Sequence, residues 1–175
     1  DNFLGWLTEQ IANIPHIKRL RIHTRLPVVI PSRIDDAFLG WATGTRLLPI
    51  VVLNINHANE IDTAVQQMVQ RLLGEGMLVL NQTVLLKSIN DRSAILAELS
   101  EALYDTGVIP YYLHLLDPVA GASHFDIAGQ QATQIYGQLQ KQLPGFLVPK
   151  LVREIPGEKS KTLMAQNPNQ CDISG

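Results

Sequence analysis

The chain has 175 residues, 46% of them hydrophobic and 17% charged, with a formal net charge of −2. That is enough for one domain with a sizeable core and argues against disorder. Lys and Arg are scattered, apart from short groups such as Lys18-Arg19-Leu20-Arg21, so there is no basic field for sequence-independent nucleic-acid binding.

In chain order, Phe3, Leu4, Leu7 and Ile11 recur at helical spacing, and Pro15 stops the run before an alternating strand at Leu20 and Ile22. A short Val28-Val29-Ile30 run follows, and Pro31-Ser32 is expected to start a helix with Ile34, Ala37, Phe38 and Trp41 on one face. Pro49 opens Ile50-Val51-Val52-Leu53, a continuous apolar run of the doubly covered, parallel kind, with its exit at Asn54-Ile55-Asn56-His57. Ile61, Val65, Met68, Val69, Leu72 and Leu73 line the next helix, and Gly74 to Gly76 end it. A strand at Met77 to Leu80 is expected to exit at Asn81-Gln82. After the polar turn at Asn90-Asp91, a helix through Leu96, Leu99 and Leu103 ends at Gly107. An aromatic-rich strand from Pro110 stops at Asp117-Pro118, a helix spans 128–142, and Pro144-Gly145 leads to a last extended run from Phe146 to Val152.

Strands recurring about every 30 residues with a helix between each pair predict repeated βα units and a parallel sheet. A closed eightfold barrel needs roughly 250 residues, so these units make an open sheet or an arc of a barrel. In such folds ligands sit at the carboxyl ends of the strands. The exits offer His23-Thr24-Arg25, then Asn54 to His57, then Asn81-Gln82, then His114 and Asp117. Each has a plainer reading. The Asn and Asp residues also suit helix caps, with Asn56 or Asn59 available to the helix after Glu60. Asp117 suits a turn before proline, Arg25 a surface ion pair, and His57 and His114 satisfied structural positions. Lys161 stands in the turn-rich stretch 156–161 as either a solvated lysine or an amine able to hold a carbonyl cofactor. No Ser/His/Asp elbow, Walker loop or Gly-x-Gly-x-x-Gly is present. The single cysteine, Cys171, allows neither a disulfide framework nor a cysteine metal site within this chain, and fits a reducing, cytoplasmic setting. No apolar run reaches the ~20 residues of a membrane span, and no signal-peptide pattern opens the chain.

Leu20-Arg21-Ile22-His23-Thr24-Arg25-Leu26-Pro27-Val28-Val29, Asn81-Gln82-Thr83-Val84-Leu85-Leu86, Pro110-Tyr111-Tyr112 with Asp117, and Gly157-Glu158-Lys159-Ser160-Lys161 together resemble the lysine 2,3-aminomutases. The closest subgroup is the one supplying β-lysine for modification of elongation factor P. The resemblance implies a radical isomerase on a partial (β/α) barrel that moves the amino group of lysine from Cα to Cβ. It implies pyridoxal phosphate, S-adenosylmethionine and a [4Fe-4S] cluster as cofactors. By resemblance, Lys161 matches the lysine that holds pyridoxal phosphate as an imine. Asp117 matches a carboxylate that pairs with the far ammonium of the substrate, and Glu154 stands where the family's second such carboxylate is usually Asp. Gln82, Asn56, His57 and, more weakly, Arg25 match cofactor-pocket positions, and Asn54 replaces the family's usual His.

Nothing matches the family's Cys-x3-Cys-x2-Cys cluster motif, and Cys171 cannot substitute for it, because cluster ligation takes several thiolates in one loop. With Asp1 rather than Met at the start, the expectation is a carboxyl-terminal part of such an enzyme, without activity alone. Its residues 1–147 would form the later units of the barrel and 148–175 a segment carrying Lys161. A homo-oligomer is compatible with this reading. Two others stay open: a self-sufficient open α/β domain that binds a small anion through Arg25 and the Asn/Gln exits, and a degenerate homologue kept for partner binding.

Overall fold

The computed structural model describes residues 1–117, 121–155, 157–158 and 160–164. Cys171 lies outside the described residues.

Six strands form one sheet in the order β1-β2-β3-β4-β5-β6: Arg19–Thr24, Leu48–Leu53, Leu78–Leu85, Ile109–Leu115, Lys150–Arg153 and Thr162–Leu163. The first five pair parallel, and β6 returns antiparallel along β5. The helices are α1 (Asn2–Ala12), α2 (Leu26–Val29), α3 (Asp36–Thr43), α4 (Thr63–Gly74), α5 (Ser93–Thr106) and α6 (Gly129–Gln142). Among the described residues, no helix is long and apolar enough to cross a membrane.

Strand order that follows chain order has a direct consequence. Right-handed crossovers between successive parallel strands put every helix on the same side, as in a barrel wall and unlike a doubly wound sheet. The packing agrees. Val51, Leu53 and Val79 from the sheet join Phe38, Leu39 and Ala42 of α3, Val65, Met68, Val69 and Leu72 of α4, and Leu99 and Leu103 of α5 in one core. Leu85, Leu113, Leu115 and Leu151 join Leu96 of α5 and Ala132, Ile135 and Leu139 of α6 in a second. Each fully buried Leu or Val contributes about 1.5–3 kcal/mol, and these side chains hold the helix layer on.

The alternate residues of the strands face the other way. In register they are Arg21, Ile50 and Leu78, then His23, Val52 and Leu80, then Gln82, Tyr112 and Lys150, then Val84, His114 and Val152. Among the described residues no helix covers this face, and at its lower rim Leu48 is 63% exposed, Leu78 43% and Ile109 42%.

Several boundaries differ from the sequence expectation. The Val28 run is one helical turn, and Pro31-Ser32 opens only a 3-10 turn; the following helix starts at Asp36, because Asp35 caps it by accepting from the Phe38 amide at 2.8 Å. Neither Asn56 nor Asn59 is a cap: His57 caps the 3-10 turn Ala58–Glu60, and Asp62 caps α4 through the Val65 amide. Residues 145–147 form a 3-10 turn, so the last extended run begins later than expected, at Lys150. The largest correction concerns Asn81-Gln82. They are not an exit; β3 runs on to Leu85, and both lie within the strand.

Candidate functional site

Strand β3 outlasts β2, which leaves its neighbour Leu53↔Asn81 as the last paired position between them. Above that pair the two chains separate, and asparagine amides take over the backbone partners. Asn81, 1% exposed on the helix side, accepts from the Ile55 amide at 2.8 Å and donates to its carbonyl at 3.0 Å. Asn56 accepts from the Val84 amide at 2.9 Å. Asn90, fully buried, donates to the carbonyls of Asn56 and Val84, each at 2.9 Å, and accepts from the Leu86 amide at 2.7 Å. Sequence reading passed over Asn90 as a turn residue. The recurrence of asparagine at 54, 56, 81 and 90 was the available signal, since Asn carries both a donor and acceptor able to replace a missing strand partner.

The loop after β2 is closed by Glu60, whose Oε1 accepts from the amides of Asn56 at 2.7 Å and His57 at 3.0 Å. Its Oε2 pairs with Arg25 Nη2 at 2.7 Å, and Arg25 Nη1 donates to the Asn54 carbonyl at 2.7 Å. His57 Nδ1 accepts from the Asn59 amide at 3.1 Å. Of the expected site residues, then, Arg25, Asn56 and His57 are engaged with the chain itself.

The others gather around the helix-free face near the strand ends. A bulge between β3 and β4 at Asn81/Gln82 leaves Tyr111 extra, so that Tyr111 and Tyr112 stack side by side with ring centroids 3.8 Å apart. Tyr111 donates to the Tyr112 hydroxyl at 3.1 Å; that bond, then burial, raises Tyr112 above the ordinary tyrosine range. His114 stands edge-on to Tyr112 with centroids 5.6 Å apart. Lys161 pairs with Glu154, and its Nζ lies 5.7 Å from the Tyr112 ring centre. This pair holds the Glu154 carboxyl below the usual carboxylate range. Glu154 and Lys161, with Ile155, Glu158 and Ser160, border a cleft of about 230 Å³. Asp117 is exposed at the end of β4.

His114 is 7% exposed. Burial, with the Lys161 ammonium second, lowers its pKa from the ordinary histidine value; Glu154 and Asp117 pull the other way. His23, across the concave face on β1, is lowered too, by burial and then by Arg21 and Lys161. Lys161 thus bears on histidines of both β1 and β4. Two polar atoms on this face, Gln82 Oε1 and His114 Nε2, are buried without a hydrogen-bond partner. An orphaned group of this kind costs about 1–3 kcal/mol, and the two stand one strand apart on the same face. A largely apolar groove of about 340 Å³ runs along β1 between Leu7, Ile22, Phe38 and Trp41, with Arg21, His23 and Arg33 also on its lining.

Sequence relatives match nearly the whole chain. An L-lysine 2,3-aminomutase of Haemophilus influenzae is 54% identical over 166 residues, 95% of this chain and 49% of that protein. One of Escherichia coli is 51% identical over 162 residues, 93% of this chain and 47% of that protein. The chain is a relative of the L-lysine 2,3-aminomutases. It spans about half the length of the aminomutases it matches. No family model matches the chain. Among solved structures, a radical SAM methyltransferase from Sphaerobacter thermophilus aligns with a TM-score of 0.56 at 15% identity, covering 78% of this chain and 41% of that one. That likeness shows the fold alone.

Proposed function

We propose that this chain is the pyridoxal-phosphate-bearing and lysine-binding part of an L-lysine 2,3-aminomutase, an isomerase that converts α-lysine to β-lysine for modification of elongation factor P. The observation that carries the reading is the convergence of Lys161, Glu154 and Tyr112 beside the two orphaned polar atoms, Gln82 Oε1 and His114 Nε2, on the open face of a barrel arc. The likeness to aminomutases at 54% identity supports it.

The residues present fit pyridoxal phosphate. Lys161 is the amine to hold its aldehyde, Tyr112 offers a ring face beside that amine, and Gln82 gives a buried acceptor. When bound, the group supplies the electron-delocalising ring that lets an amino group migrate between adjacent carbons. The chain's own contribution is orientation. Asp117 and Glu154 provide the anionic end for the far ammonium of lysine, and charge-assisted bonds there fix a long, flexible substrate. Glu154 reaches one methylene further than the Asp of the resembled family, which shifts the substrate's ammonium by about a bond length. The Asn54–His57 loop, tied down by Glu60 and Asn90, sets the wall of the site. Covering of this open face in the whole protein would keep water from the reacting carbons.

For a [4Fe-4S] cluster the residues here do not fit, since Cys171 is the one cysteine of the chain. Its ligands, and with them the S-adenosylmethionine site, are expected in a part of the protein outside this chain, and no step is derived through them. The proposal includes a division between 1–147, the barrel arc, and 148–175, which brings Lys161 to it; a cytoplasmic location; assembly as a homo-oligomer; and no activity of this chain by itself. An anion-binding domain built on Arg25 gains no support, because its guanidinium is taken by Glu60 and the Asn54 carbonyl.

Two measurements test the reading. Borohydride reduction of the whole gene product with pyridoxal phosphate, followed by peptide mapping, is expected to label Lys161; label confined to other lysines would sink it. Intact mass and iron content of that product are expected to exceed 19.4 kDa and to reach about four irons per chain.

A further inference from the structure

Among the described residues, His114 is a buried polar group to which neither the fold nor the proposed lysine chemistry gives a role of its own. It sits in the middle of a parallel sheet, in register with Val84 and Val152, where an apolar residue would pack without penalty. Its Nε2 is sealed from solvent and unpartnered, and so is Gln82 Oε1 one strand away on the same face. A donor and an acceptor could satisfy each other if they met. These do not, and Gln82 is aligned with Tyr112 while His114 stands two residues further along. A third, bridging group that offers polar atoms to both is what completes the arrangement.

The neighbours say what kind of group it is. Tyr112 neighbours both Lys161 and His114, with its ring centre 5.6 Å from the His114 ring and 5.7 Å from Lys161 Nζ. A planar ring joined to Lys161 by a one-carbon link would lie close to Tyr112, on the face that carries His114 and Gln82. A pyridine ring carrying its nitrogen opposite the link and a hydroxyl beside it would offer separate polar atoms to the two side chains.

We propose that His114 is a further cofactor-binding residue, and that together with Gln82 it forms the hydrogen-bonding seat for the ring of the pyridine aldehyde held by Lys161. This rests on the assignment of Lys161 made above. Burial, the Lys161 ammonium and, least, His23 favour the uncharged imidazole against the facing carboxylates Glu154 and Asp117, so one ring nitrogen donates while the other accepts.

The test separates a seat from a misplaced core histidine, because the two predict opposite consequences of removing the polar atoms. In the whole gene product, His114→Leu keeps the bulk and deletes both nitrogens. The melting temperature without cofactor is expected to rise, since an unsatisfied polar group is gone, while the Kd for pyridoxal phosphate, followed by its absorbance change, weakens at least about tenfold. His114→Asn, which restores a donor and an acceptor, is expected to recover part of that affinity, and it serves alone should the leucine variant fail to fold. Unchanged affinity in His114→Leu, with Lys161 still labelled by borohydride, overturns the seat and leaves the lysine assignment standing. Loss of Lys161 labelling in the unsubstituted protein overturns both.

Discussion

Asn90→Ala is the substitution on which the account of the β2–β3 gap stands or falls. The Asn90 side chain is fully buried, and its loss removes two donors at 2.9 Å from the Asn56 and Val84 carbonyls and one acceptor at 2.7 Å from the Leu86 amide. Each bond contributes about 1 kcal/mol net, and a backbone group left dry and unpaired costs about 1–3 kcal/mol. Water entering the vacated space recovers some of this, so the expected loss is about 2–4 kcal/mol. Against a total stability of about 5–15 kcal/mol, that is a large fraction. Urea unfolding followed by far-UV circular dichroism measures it, with an unchanged slope confirming that the midpoint shift is a stability change. Asn90→Asp is the sharper companion. It keeps the acceptor for Leu86 but turns a carboxylate oxygen toward two carbonyls, so at neutral pH it is expected to be at least as damaging as alanine, and to improve as acid protonates the group. A loss below about 1 kcal/mol for alanine, or a harmless aspartate, would refute the claim that Asn90 stands in for strand pairing.

Gly107 ends α5 at φ 91°, and a Cβ there would lie 2.5 Å from Leu73 Cδ1. Gly107→Ala is expected to cost about 1–2 kcal/mol from the left-handed backbone alone, with the Leu73 displacement added, and an unchanged urea midpoint would contradict this. Glu60→Ala, which frees two backbone amides as well as Arg25, is expected to destabilise by about 1–2 kcal/mol, whereas Arg25→Ala, which breaks the exposed ion pair and an exposed bond to the Asn54 carbonyl, costs less than about 1 kcal/mol. Equal effects would mean that the ion pair, and not the loop closure, is what Glu60 provides. Stability should also follow the imidazole of His114. Because its folded pKa is depressed, the unfolded chain binds the proton more readily; stability is level above about pH 6.5 and falls as pH drops below that value, until the folded imidazole itself protonates. Melting temperatures measured from about pH 8 to about pH 5 are expected to fall less steeply in His114→Leu than in the unsubstituted protein, and parallel curves would show that His114 contributes nothing to the acid limb.

The parallel βα architecture was legible in the sequence because it rests on local periodicities: the apolar run Ile50–Leu53, the helical stripe from Ile61 to Leu73 and the glycine stop at 107 each carry their own signal. The family resemblance named residues, but it could not say which of them share a face. That was decided by register. Strand β3 extends to Leu85 instead of stopping at Leu80, which moves Gln82 from a supposed exit into the sheet and, since side chains alternate, puts it beside Tyr112 and sends Asn81 to the helix side. Periodicity cannot reveal where a strand outlasts its neighbour, because the partners that replace the missing bonds, Asn56 and Asn90, stand 28 and 6 residues from Val84. Arg25 is a comparable case: its carboxylate, Glu60, lies 35 residues away, and only the closure of the loop makes it an internal ion pair instead of a free cation. The bulge at Tyr111, the pairing of Lys161 with Glu154 and the burial of His114 likewise depend on which strands lie side by side. A sequence states which side chains are available; the curvature and register of the sheet determine which of them meet.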